Sequence, residues 1–88
     1  MTFDDEIIDK VWNKARDIEG KDPDIWKQDT CNTPMKKEEY GTRDSQYGWE
    51  IDHKDPNGSN DLSNLQPLQW ENNASKGDGQ LKCKCNED

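Results

Sequence analysis

The shortage of apolar side chains is what most limits the folds open to this chain. Hydrophobic residues make up 27% of its 88 positions and charged residues 36%, so any core has to be small. Four Trp, two Tyr and one Phe partly offset the deficit, because each aromatic ring buries a large area. A composition this polar also fits intrinsic disorder. The aromatics and the locally patterned segments oppose that reading and point to one domain of modest stability over residues 1–88.

The patterned segments come in a definite order. In residues 3–19, Ile7, Ile8, Val11, Trp12, Ala15 and Ile18 recur at spacings of three and four, which predicts an amphipathic N-terminal helix serving as scaffold. Acidic residues 4–6 suit its first turn, and Gly20 is a stop. Residues 21–46 read as irregular, with Trp26 as an anchor in the core. "WEID" then alternates as a short strand does. "KDPNGSND" is a loop with a tight turn at Asn57–Gly58. "NLQPLQW" alternates again, although Pro67 restricts it to a short or edge strand. "WENNASKGD" forms a brief helix ending at Gly77, and residues 79–88 are a tail. The fold class expected is α+β.

Charge argues on function. With 12 basic and 20 acidic side chains the formal net charge is −8. Such a surface weakens non-specific affinity for nucleic acid, which comes mostly from Lys and Arg neutralising phosphates. Cys31, Cys83 and Cys85 are an odd number, so they cannot form a complete disulfide framework within one chain. The first residues lack a basic n-region and a long apolar run, and no stretch is long and apolar enough to span a bilayer. The expectation is a soluble intracellular protein, cytoplasmic or nuclear, with no membrane partner and with its thiols free.

One segment carries chemistry. His53 is the only histidine, and Asp52, Asn64, Asn72, Asn73 and Lys76 lie around it in residues 50–78. A minimal nuclease needs a base that takes a proton from water and a divalent metal that polarises the scissile phosphate. Imidazole exchanges protons near neutrality, which suits the first task. Carboxylate and amide oxygens suit Mg²⁺, which keeps several waters and needs only one or two protein ligands. Asp52 and His53 are adjacent on a strand, so their side chains leave on opposite faces unless the strand ends there. A second oxygen ligand has to come from another element, and the short helix near residue 73 is the source.

The ordered set "IDH", a Gly/Asn/Ser/Asp loop, "NLQPL" and "NASKGD" resembles the HNH endonuclease family with its ββα-metal motif. The match covers residues 47–78 and leaves the helix 3–19 outside it. The resemblance implies His53 as the general base, Asp52 as a metal ligand and Asn64 as the middle asparagine that ties down the loop. Asn73 falls at the second metal ligand, with Asn72 as the competing assignment, and this makes the chain an H-N-N variant. Lys76 matches a basic residue that approaches phosphate or buttresses the motif.

The implied activity is metal-dependent hydrolysis of phosphodiester bonds in DNA. Mg²⁺ is the expected ion, with Mn²⁺ or another divalent ion as a substitute. Many members of the family also carry a structural zinc on two CxxC pairs. Here the second pair falls at Gln69 and Asn72, and Pro34 stands where Cys31 needs a partner. The three thiols lack the fourth ligand of a closed tetrahedral site, so structural zinc is not expected. The alternative function is a non-catalytic interaction module of the same fold, its acidic surface docking on a basic partner. In the nuclease case a protein partner could supply the DNA affinity that the chain's own charge withholds.

Overall fold

The N-terminal helix forms as expected but stops early. The structure, a computed structural model, describes residues 3–77 and 79–83. Helix α1 spans Asp5–Trp12 and is opened by Asp4, whose Oδ1 accepts the amide of Ile7 at 2.9 Å. The apolar stripe continues past Trp12 in the sequence, yet the backbone is drawn elsewhere. Lys14 and Ala15 tighten into a final turn by bonding the carbonyls of Val11 and Trp12, and Arg16 exchanges both backbone hydrogen bonds with Gln28. A non-local ladder outcompetes the helix, so the expected span of 3–19 is corrected to Asp5–Trp12.

Residues expected to be irregular contain a small hairpin. Strands β1 (Trp26–Gln28) and β2 (Pro34–Lys36) pair antiparallel. Their turn is organised by Asp29, which is 1% exposed. Its Oδ1 accepts the amides of Cys31 and Thr33 at 2.9 and 3.0 Å, and Asn32 takes the left-handed conformation, φ 63°, that such a turn needs. Trp26 is half-buried on the surface instead of in the core. It packs edge-on against Tyr47 at 4.9 Å, with the Lys21 and Lys36 ammonium groups over its ring.

The core is built around Trp12 and Trp49. Val11, Trp12, Met35, Trp49 and Leu65 form one buried cluster, with Trp12 and Trp49 at 5.2 Å and Tyr40 edge-on to Trp49 at 4.9 Å. Strand β3 (Trp49–His53) brings Trp49 into that cluster and pairs antiparallel with β4 (Leu65–Gln69). Gly48, just before β3, is fixed by space: a Cβ there would lie 1.9 Å from the Thr42 carbonyl oxygen. Pro67 is tolerated because β4 has only one strand neighbour.

Strand β4 runs straight into helix α2 (Trp70–Lys76). The Gln69 side chain caps it by accepting the amides of Glu71 and Asn72, and Gly77, at φ 52°, ends it. Among the described residues the architecture is therefore mixed α+β, with two helices and two small antiparallel sheets. None of the helices is long and apolar enough to cross a membrane.

Two further connections tie the hairpin β1–β2 to the rest. Cys31 and Cys83 form a disulfide, which replaces the free thiols expected from the sequence; Cys85 lies outside the described residues. Cys31 is 2% exposed and sits 5.3 Å, Cα to Cα, from Cys83, a separation that a disulfide requires. The second connection is Asp29 again. Its Oδ2 accepts the Gln69 amide and the Asn72 Nδ2, each at 2.9 Å, and Asn72 Nδ2 also bonds Thr33 Oγ1 at 3.0 Å.

Asp29→Asn keeps the shape but turns one acceptor into a donor facing two N–H groups. We expect it to lower folding stability by more than about 3 kcal/mol, because a buried charge-assisted network is broken. Urea denaturation at equilibrium measures this, and a loss under about 1 kcal/mol would show that the network contributes little.

Candidate active site

Alternation along β3 divides the two central residues between two sides of the sheet. Asp52 shares a face with Glu50, and both meet α2. Trp49, Ile51 and His53 share the other face, toward the α1 side, where the Phe3 ring lies 6.3 Å from the imidazole. His53 is the last residue of β3, so the strand ends where the two side chains diverge.

On the α2 side the contacts form two rungs between strand and helix. In one, Lys76 Nζ lies 3.3 Å from Asp52 Oδ1 and also donates to the His53 carbonyl at 3.1 Å. Asp52 Oδ2 accepts from Gln66 Nε2 at 2.7 Å, as the register Asp52↔Gln66 allows. Both Asp52 and Lys76 are 7% exposed. In the other rung Asn73 Nδ2 donates to Glu50 Oε1 at 2.8 Å, and Arg43 grips Glu50 with two bonds of 2.9 and 3.0 Å. The Asn73 amide oxygen therefore points away from Glu50. Asn72 is turned to Asp29 and Thr33, so Asn73 is the asparagine of the pair that meets β3.

The loop between β3 and β4 is held by Asn64. Its Oδ1 accepts the Asp55 amide at 3.0 Å, and its Nδ2 donates to the carbonyls of Asp55 and Ser59 at 3.1 and 2.8 Å. Gly58 makes room for it, since a Cβ at that position would come within 2.7 Å of Asn64 Nδ2. The turn itself closes from Gly58 N to the Asp55 carbonyl. So fixed, the loop carries Asn60, whose Oδ1 lies 2.5 Å from His53 Nε2. An amide oxygen can only accept, so this contact favours the tautomer with the proton on Nε2 and the lone pair on Nδ1.

Of the five residues marked by the sequence, Asp52, Asn73 and Lys76 lie between β3 and α2, the His53 side chain leaves the opposite face at the end of β3, and Asn64 holds the loop that follows. Several of their partners, Glu50, Gln66, Asn60 and Arg43, carried no mark. Glu50 was within reach, because two residues before Asp52 on a strand means the same face. Gln66 and Asn60 needed the register and the loop conformation. Lys76 is a buttress in this arrangement, its ammonium enclosed by Asp52 and the end of β3.

The oxygen donors fit a hard divalent ion. Asp52 and Asn73 come from two packed elements, and each Asp52 oxygen has lone-pair capacity beyond its present bond. Among the described residues no group of three or more His, Cys, Asp or Glu side chains converges. Mg²⁺ keeps several waters and needs only one or two protein ligands. Compared with models of known families, with curated proteins and with solved structures, the chain has no match.

Two stability measurements check this geometry. Lys76→Met strands the buried Asp52 carboxylate and is expected to cost about 3–5 kcal/mol in chemical denaturation, in contrast to the near-neutral effect of losing a surface lysine. The hydrogen bonds from Arg43 hold the Glu50 carboxyl below the usual glutamate range; burial opposes them, and the Asn73 amide adds to the lowering. A depressed folded-state value stabilises the protein above the unfolded-state value and is lost as pH falls through the folded one. Glu50→Gln should therefore lower the melting temperature at about pH 7, with the gap to wild type closing toward about pH 3.

Proposed function

We propose that this protein is a metal-dependent nuclease of the HNH type that hydrolyses phosphodiester bonds in DNA. The observation that carries the reading is the His53–Asn60 contact beside the Asp52–Lys76 and Glu50–Asn73 rungs. It supports an oriented imidazole at the end of β3, with two oxygen donors supplied by the same strand and by the helix on its other face.

Each residue then has a task. His53 Nδ1 takes a proton from water as the water oxygen attacks phosphorus, and Asn60 keeps the ring in the tautomer that permits this. The bond to the 3′ oxygen breaks, leaving a 5′ phosphate and a 3′ hydroxyl. Asp52 and Asn73 would hold the divalent ion, which supplies polarisation of the phosphate and stabilisation of the leaving oxygen. Lys76 fixes the end of β3 through the His53 carbonyl, and Gln66 fixes the Asp52 carboxylate. Glu50, itself held by Arg43, orients the Asn73 amide. Asn64 acts through the loop that presents Asn60.

One observation favours the non-catalytic alternative. Asp52 is already neutralised by Lys76, so the fold itself does not require a metal there. Nicking of supercoiled plasmid with Mg²⁺ or Mn²⁺ separates the two. The nuclease reading expects His53→Ala and Asp52→Ala to fall by about 10²–10⁴-fold. Asn60→Leu, which leaves Nε2 without its acceptor, should fall by about 10–100-fold. Wild type indistinguishable from His53→Ala would sink the nuclease and leave the interaction module.

A further inference from the structure

The cations of this acidic chain are not evenly disarmed. Lys27, Lys37, Arg43 and Lys76 are each paired with a carboxylate. Lys14 and Arg16 are held differently, by uncharged backbone oxygens. Lys14 Nζ donates to the carbonyls of Leu62 and Leu65, the latter at 2.7 Å. Arg16 donates to those of Asp29 and Thr30 at 3.3 and 3.0 Å. Such bonds aim the side chain without cancelling its charge. Lys54, directly after His53, is exposed.

These three cations line one groove. It has a volume of about 310 Å³ and runs between the segment that follows α1, the β1–β2 turn and the open side of β4. The one carboxylate in its lining is Asp29, which is 1% exposed and has both oxygens occupied by four N–H groups. The groove thus concentrates positive charge in a chain whose net charge is −8. Gln66, whose side chain bonds Asp52, is also among its lining residues, so the groove and the site have a residue in common.

We propose that this groove holds the phosphodiester backbone of a nucleic-acid strand beside the site, with Lys14, Arg16 and Lys54 as its phosphate contacts. The proposal deepens the nuclease reading and rests on it for the identity of the strand. Phosphate oxygens accept the remaining N–H groups of an aimed guanidinium and two ammonium groups, and aimed donors lose less freedom on binding. Burial and the nearby charge of Lys54 both push the Lys14 ammonium below its usual range, so an anion between the two cations relieves a repulsion already present.

The test is binding of a fluorescein-labelled DNA duplex to the full chain, followed by fluorescence anisotropy in EDTA across a salt series. Lys14 and Arg16 also hold the backbone, so the decisive variant is Lys54→Gln at an exposed position. It should weaken binding several-fold and equally for different sequences, and lower the slope of log affinity against log salt by about 0.9. Lys10→Gln, an exposed lysine in the last turn of α1 and outside the groove, should leave both unchanged. Lys54→Gln binding like wild type, Lys10→Gln losing as much, or wild type failing to bind would each overturn the groove. Plasmid nicking is read separately. Binding through Lys54 by a protein that nicks no better than His53→Ala keeps the groove and removes the nuclease. Nicking that ignores Lys54 does the reverse.

Discussion

A single buried carboxylate ties the two parts of this small molecule together. Asp29 accepts two amides from its own turn, and with its other oxygen the Gln69 amide and the Asn72 side chain. A charge with 1% exposure is tolerable only when its lone pairs are filled by donors that cannot turn away, and three of these four are backbone amides. The join falls at the passage from β4 to α2. An anion surrounded by N–H groups thus positions the start of the short helix.

Once α2 is anchored there, the site follows from strand geometry. A strand presents successive residues to opposite faces, so Asp52 meets the helix while His53 meets the α1 side. The helix that lies outside the motif is then part of the site's surroundings, because the Phe3 segment before it lies beside the imidazole. The two rungs on α2 use spacings native to each element, two residues on the strand and three on the helix. Lys76 and Asn73 can therefore serve Asp52 and Glu50 without distortion of either element.

Much of this was legible in the sequence, and the failures share one cause. The alternating segments around Trp49 and Leu65, the loop between them and the short helix ending at Gly77 are local patterns, and each stands where it was expected. Helix α1 ends early because Arg16 finds Gln28, a partner that periodicity cannot reveal. The β1–β2 hairpin has strands of three residues and depends on Asp29, so composition alone reads it as irregular. Trp26 lies outside the core because Tyr47 and two lysines cover it at the surface. The Cys31–Cys83 disulfide joins residues 52 positions apart, which an odd cysteine count hid. At the site, residue types and spacing marked the five candidate side chains. Their orientation depends on Glu50, Gln66 and Asn60, which only register and loop conformation bring into place.

A net charge of −8 does not by itself exclude the polyanionic substrate proposed above, because charges act over a limited distance. Exposed charges further apart than about 8 Å are largely screened at physiological ionic strength. What a bound strand feels is set by the groups it touches, and in the groove those are cations whose only fixed partners are neutral carbonyls. The bookkeeping that matters for binding is therefore local. Four cations elsewhere are paired with carboxylates, whereas the three that line the groove are not in any such pair. On the proposal above, an acidic protein keeps weak affinity for nucleic acid in general and still holds a strand at one place.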